Sequence, residues 1–133
     1  YQQTPFWDAV LHGHLDIAEI LLQQGAKIDS GSNERGTVLH YVCEYHTSPI
    51  DNDVLAQWLI SHKANVNAVD HEGDNPLHKS ARKGHLAAAE LLISAGADLH
   101  AMNKKGMTPL DNAVNQAQTA IVDLLRKHEA KSP

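Results

Sequence analysis

The apolar residues of the chain come in short bursts: Ile20-Leu21-Leu22, Trp58-Leu59-Ile60, Leu91-Leu92-Ile93 and Leu124-Leu125, with polar, Asn- and Asp-bearing stretches between them. Around the third burst, Leu86, Ala89, Leu92 and Ile93 recur at helical spacing and predict a helix from about His85 to Ser94. A shorter helix should precede it, since Leu77 and Ala81 stand four apart on one face. Gly84 and Gly96 sit where these two helices should stop, as left-handed C-terminal residues. The polar stretch that follows suits a turn or a hairpin finger.

The same unit recurs along the chain. Thr4-Pro5-Phe6-Trp7, Thr37-Val38-Leu39-His40, Asn75-Pro76-Leu77-His78 and Thr108-Pro109-Leu110-Asp111 start 33, 38 and 33 residues apart. Thr at the motif start is a good N-cap, and Pro fits the first helical position, where its missing N–H costs nothing. Gly13-His14-Leu15 and Gly84-His85-Leu86 are a second marker. Gly25-Ala26-Lys27, Lys63-Ala64-Asn65 and Gly96-Ala97-Asp98 are a third. One helix pair is too small to bury its own apolar face, so the units must stack.

These markers resemble the ankyrin repeat, most closely in the third copy from Asp70 to His78, with Gly84-His85 and Gly96-Ala97-Asp98 after it. The resemblance implies an all-α solenoid of stacked helix–turn–helix units with short β-hairpin fingers. Its units would be about 1–31, 32–69, 70–102 and 103–133, the last as a C-terminal cap. It also implies binding of a partner protein or peptide on the concave face made by fingers and first helices, without catalysis. The alternative is a structural spacer within a larger multidomain enzyme, channel or secreted bacterial effector.

The chain departs from the pattern in places. The second unit carries five extra residues, which alignment puts in the stretch His46 to Asp53, between its two helices. Pro49 breaks any helix there, and Asp51, Asn52 or Asp53 is expected to cap the next one. Gly36 directly precedes Thr37, whereas Gly73 and Gly106 stand two residues before their motifs, so the turn near Ser30 to Gly36 should differ. Arg126 occupies the outward position held by Leu22, Ile60 and Ile93, as a terminal unit requires. Glu129 replaces the usual Gly, and Lys131-Ser132-Pro133 reads as a frayed tail. The first unit shows no such polar face, and the expectation is an array that ends at its C-terminus and continues before Tyr1.

Composition narrows the function classes. Aromatics are 5% of the residues, which disfavours a β-sandwich, and the net charge of -5 supplies no field for nucleic acid. No apolar run approaches membrane-spanning length. The one cysteine, Cys43, excludes an intrachain disulfide and a four-cysteine zinc site. A monomer in a cytoplasmic or otherwise intracellular setting is expected, a host-cell cytoplasm included for a bacterial effector.

The ten histidines suggest a metal, but their spacing does not. His71-Glu72 does not continue as His-Glu-x-x-His, and no phosphate-binding glycine loop occurs. No metal or cofactor is expected. In the resemblance, His40 and His78 tie finger to helix. Cys43 takes a small-residue helix position, with Val10, Ala81 and Val114, and should be a buried, inert thiol. Trp58 should be core, and Trp7 partly exposed.

By register, the surface residues expected to bind a partner are Glu34, Glu44 and Tyr45 in the second unit. The third gives His71, Glu72, Asp74, Arg82 and Lys83, and the fourth Lys104, Lys105, Met107 and Asn115, with Gln116 beside them. The segment Leu59 to Asn67 resembles the spacing at which an asparaginyl hydroxylase modifies ankyrin repeats. The simpler expectation is that Asn67 hydrogen-bonds within its finger.

Overall fold

The computed structural model describes residues 4–32, 36–45 and 51–131. The described residues form four helix pairs. They are α1 (Pro5–Leu11) with α2 (Leu15–Gln23), α3 (Val38–Glu44) with α4 (Asn52–Ser61), α5 (Pro76–Lys83) with α6 (Leu86–Ser94), and α7 (Pro109–Asn115) with α8 (Thr119–Lys131). First helices pack in a row, α1 on α3, α3 on α5 and α5 on α7, while α4, α6 and α8 form a second row behind them. This is the expected all-α solenoid.

Each first helix starts as its sequence requires. Thr4, Thr37, Asn75 and Thr108 are N-caps whose side chains accept from the backbone N–H of Trp7, His40, His78 and Asp111. In the last three, the side chain of that third residue returns to the N-cap N–H, closing a capping box. Gly84 ends α5 at φ 75°, the left-handed geometry foreseen for it. In the other units this geometry falls on side-chain-bearing residues at two places, Lys63 at φ 69° and Ala117 at φ 55°.

The core runs the length of the stack. Val10, Leu39, Leu55, Leu59, Leu77, Leu92 and Leu125 are almost wholly removed from water, each contributing on the order of 1.5–3 kcal/mol. Trp58 is half-buried, tilted against Phe6 and stacked on His62 with ring centroids 4.1 Å apart.

Several expectations need correction. Trp7 is buried, because its indole N–H donates to the Ser30 carbonyl at 2.9 Å and its ring meets Tyr41 edge-on. Val114, in register with buried Val10, Cys43 and Ala81, is itself exposed. Lys131 continues α8 instead of fraying; Ser132 and Pro133 lie outside the described residues. Arg126 is exposed, as its register requires.

The second unit's extra residues lie partly outside the description, at 46–50. Asp51 is the N-cap of α4 but makes no side-chain capping bond. Asn52 turns backwards instead: its amide donates to the carbonyls of Val42 and Tyr45, closing the end of α3.

The fingers differ as the glycine positions imply. Gly31 and Ser32 (β1) pair antiparallel with Thr37 and Gly36 (β2). A Cβ on Gly31 would run into the Gly36 carbonyl. The next two fingers are turns without a strand ladder. Asp70 Oδ1 accepts from the N–H groups of Glu72 and Asp74, and Asn103 Oδ1 from those of Lys105 and Met107. Each is a side chain closing its own turn. The Lys104 N–H then donates to the Glu72 carbonyl at 2.9 Å, joining one finger to the next.

Candidate functional site

The third and fourth fingers and the first helices behind them enclose a groove of about 620 Å³. His71, Glu72, Arg82, Lys104, Lys105, Met107 and Asn115, all picked out by register in the sequence, line it together with Gln116. Asn103 and Asn112 complete it and were missed. Asn103 was legible in principle, since it stands 33 residues after Asp70 and plays the same turn-closing part. Lys83 is exposed on the last turn of α5, outside the groove.

Asp74 is a correction. It was expected on the surface, but the finger turn carries its side chain inward until it is wholly buried. There Oδ2 accepts from Arg82 at 2.8 Å and Oδ1 from the Asn103 amide at 2.9 Å. Burial works to raise its pKa, but the hydrogen bonds from Asn103 and Arg82 and the charges of Arg82 and Lys79 outweigh that. They hold the carboxyl below its ordinary 3.8.

Lys79, absent from the sequence-derived set, is the centre of this network. Its ammonium is buried 2.9 Å from Asp70 Oδ2, 3.4 Å from Asp74 Oδ2 and 3.6 Å from Glu44 Oε2. Burial alone would lower its pKa. The bond to Asp70 and the charges of Glu44, Asp70 and Asp74 raise it above 10.5 instead. Glu44 is therefore half-buried and tied to the third unit rather than free on the rim.

In the second unit Tyr45 is exposed and its ring lies tilted against half-buried Tyr41, centroids 4.7 Å apart, with buried Trp7 edge-on to Tyr41. Glu34 lies outside the described residues.

The histidines serve the joints between units. His40 Nδ1 accepts from the Thr37 N–H while its Nε2–H donates to the Asp74 carbonyl at 2.9 Å. His78 repeats this with Asn75 and the Met107 carbonyl, and His85 reaches the Cys43 carbonyl at 2.8 Å. Burial lowers the His40 pKa below 6.5. Among the described residues, no three His, Cys, Asp or Glu side chains are grouped to hold a metal ion. Burial pushes the Cys43 thiol up to about 12.

Asn67 bonds outward to the next unit. Its Oδ1 accepts from the Asp98 N–H at 2.7 Å and its amide donates to the Gly96 carbonyl. Asp29 does the same one unit earlier, accepting from the Asn65 N–H at 2.8 Å.

The comparisons with known proteins agree with this geometry. A family profile of ankyrin repeats in three copies matches residues 6–103 and again 50–132. The chain belongs to the ankyrin repeat family. It is 32% identical over 89 residues, 66% of its length, to an ankyrin repeat and KH domain-containing protein of Caenorhabditis briggsae. It is 34% identical over 91 residues, 68% of its length, to the ankyrin repeat and KH domain-containing protein mask-1 of Caenorhabditis elegans. The matched segment spans 3% of each of these relatives. Ankyrin repeats are generally protein-interaction modules, and the family is typically non-enzymatic. No helix among the described residues is long and apolar enough to cross a membrane.

Proposed function

We propose that this chain binds a partner protein or peptide on its concave face and catalyses nothing itself. The observation that carries this reading is the groove between the third and fourth units, with Tyr45 exposed at the end of the second unit's first helix. An aromatic of this kind contributes strongly to a contact, while surrounding charges steer the approach. The chain acts as an intracellular monomer that binds neither nucleic acid nor metal.

The experiment is affinity capture with the wild type, Tyr45→Ala, Lys104→Glu/Lys105→Glu, and Glu90→Arg on the outer helix row. The partner captured by the wild type should be lost or weakened with the first two variants and kept with the third. Loss with Glu90→Arg alone would overturn the concave-face assignment. Arg82 is a poor probe, because reversing its charge also breaks its bond to buried Asp74.

A second reading rests on the small share of its relatives' length that the chain spans. In it the array is a spacer that positions another domain of a longer protein. Full-length protein that keeps its activity with both concave-face variants would favour it.

A further inference from the structure

Helix α7 turns a face of carboxamides to the groove. Asn115 and the C-cap Gln116 stand three and four residues after Asn112, and all three line the cavity. Asn112 is buried, and its amide nitrogen has no hydrogen-bond partner among the described residues. A buried donor left unsatisfied costs free energy, so a ligand that accepts from it gains on binding. Asn115 and Gln116 are exposed and make no side-chain hydrogen bond within the described structure. Asn103 is different: its two side-chain ends are already used by its own turn and by Asp74.

The charges of the groove are unequal in availability. Arg82 is held by Asp74 at 2.8 Å. Lys104 and Lys105, at the tip of the fourth finger, have no carboxylate within 4.0 Å among the described residues. Glu72 stands on the third finger and confines an incoming carboxylate to the lysine side.

We infer that this groove holds an extended, acidic segment of another protein. The carboxamides of Asn112, Asn115 and Gln116 bond its main chain, and Lys104 and Lys105 take an acidic side chain. A carboxamide offers one acceptor and two donors, which matches the alternating N–H and C=O groups of an extended peptide. A helical segment would have those groups already paired within itself. The inference rests on the concave-face reading and adds the chemistry of its ligand.

The test uses the whole chain, labelled with 15N, and three degenerate decapeptide pools of Gly, Ala and Ser with a central Asp/Glu pair, Asn/Gln pair or Lys pair. A fourth pool repeats the acidic one with N-methylated peptide bonds. The acidic pool should move the side-chain amide signals of Asn112, Asn115 and Gln116, and the N-methylated pool should not. Asn115→Ala/Gln116→Ala, both at exposed positions, should weaken binding about tenfold. Lys104→Glu/Lys105→Glu should transfer preference to the Lys pool. Equal binding of all pools, equal binding after N-methylation, or no binding at all would overturn the inference. If the acidic pool moves Tyr41 and Tyr45 but leaves α7 silent, this inference falls and the concave-face reading stands. Movement confined to the outer helix row takes down both.

Discussion

The imidazole of His40 joins two units of the stack: it accepts from Thr37 in its own unit and donates to the Asp74 carbonyl of the next. Only a neutral ring can do both, because a protonated Nδ1 would face the Thr37 N–H donor. Burial accordingly lowers its pKa. The unfolded chain therefore takes up a proton near pH 6.5 that the folded chain resists. Stability is complete above that pH and falls as the pH drops below it, toward the folded pKa. Urea unfolding of the wild type should show this loss between pH 7 and pH 5. His40→Gln should show less of it, along with a lower baseline from the disturbed joint.

Lys79 neutralises carboxylates that have little access to water. Lys79→Met keeps much of its volume but leaves buried Asp70 without its cation and Asp74 with Arg82 alone. A loss of about 3–5 kcal/mol is expected, measured by equilibrium denaturation. A cost below about 1 kcal/mol would show that solvent or Arg82 replaces the lysine.

Lys63 and Ala117 occupy left-handed backbone at positions where Gly25 and Gly96, and Gly13 and Gly84, stand in other units. Lys63→Gly and Ala117→Gly should each raise stability, by up to about 1 kcal/mol, because relief of strain outweighs the added freedom of the unfolded chain. The same change at exposed Gln57, within α4, should destabilise by a similar amount. Melting temperatures of the three variants decide this.

Cys43 is buried and its thiol is pushed up to about 12. It should react with a thiol reagent such as Ellman's reagent only after denaturation, and at a rate set by opening of the stack. Rapid reaction of the native protein at pH 8 would contradict the packing of α3.

The helices were legible because local chemistry decides them. Thr4, Thr37, Asn75 and Thr108 cap wherever they precede a helical pattern, and Gly84 stops one, whatever lies beyond. The groove was legible through register, since finger and first-helix positions share one face. The departures all depend on neighbours in space. Asp74 turns inward because Arg82, Lys79 and Asn103 await it, which no pattern within its own finger reveals. Trp7 is buried because Ser30 offers its carbonyl. Asn52 closes α3 rather than opening α4, since the carbonyls of Val42 and Tyr45 come within its reach. Lys63 and Ala117 could have been assigned left-handed geometry from the glycines in equivalent positions, a signal that the repeat spacing already contained.

The joints along the array are unequally fastened. Between the second and third units lie the His40 and His85 bonds and the buried ammonium of Lys79 reaching back to Glu44. Between the first and second, among the described residues, lie the Asn65 N–H bond to Asp29 and the ring contacts of Trp7 with Tyr41 and of Phe6 with Trp58. A pull applied to the two ends of such an array is carried by every joint in series, so rupture begins at the least fastened one. In an optical trap, α1 and α2 should peel away as an early, separate extension. The second and third units should then hold together as one block until a higher force, giving the chain a give at one end and a grip in the middle.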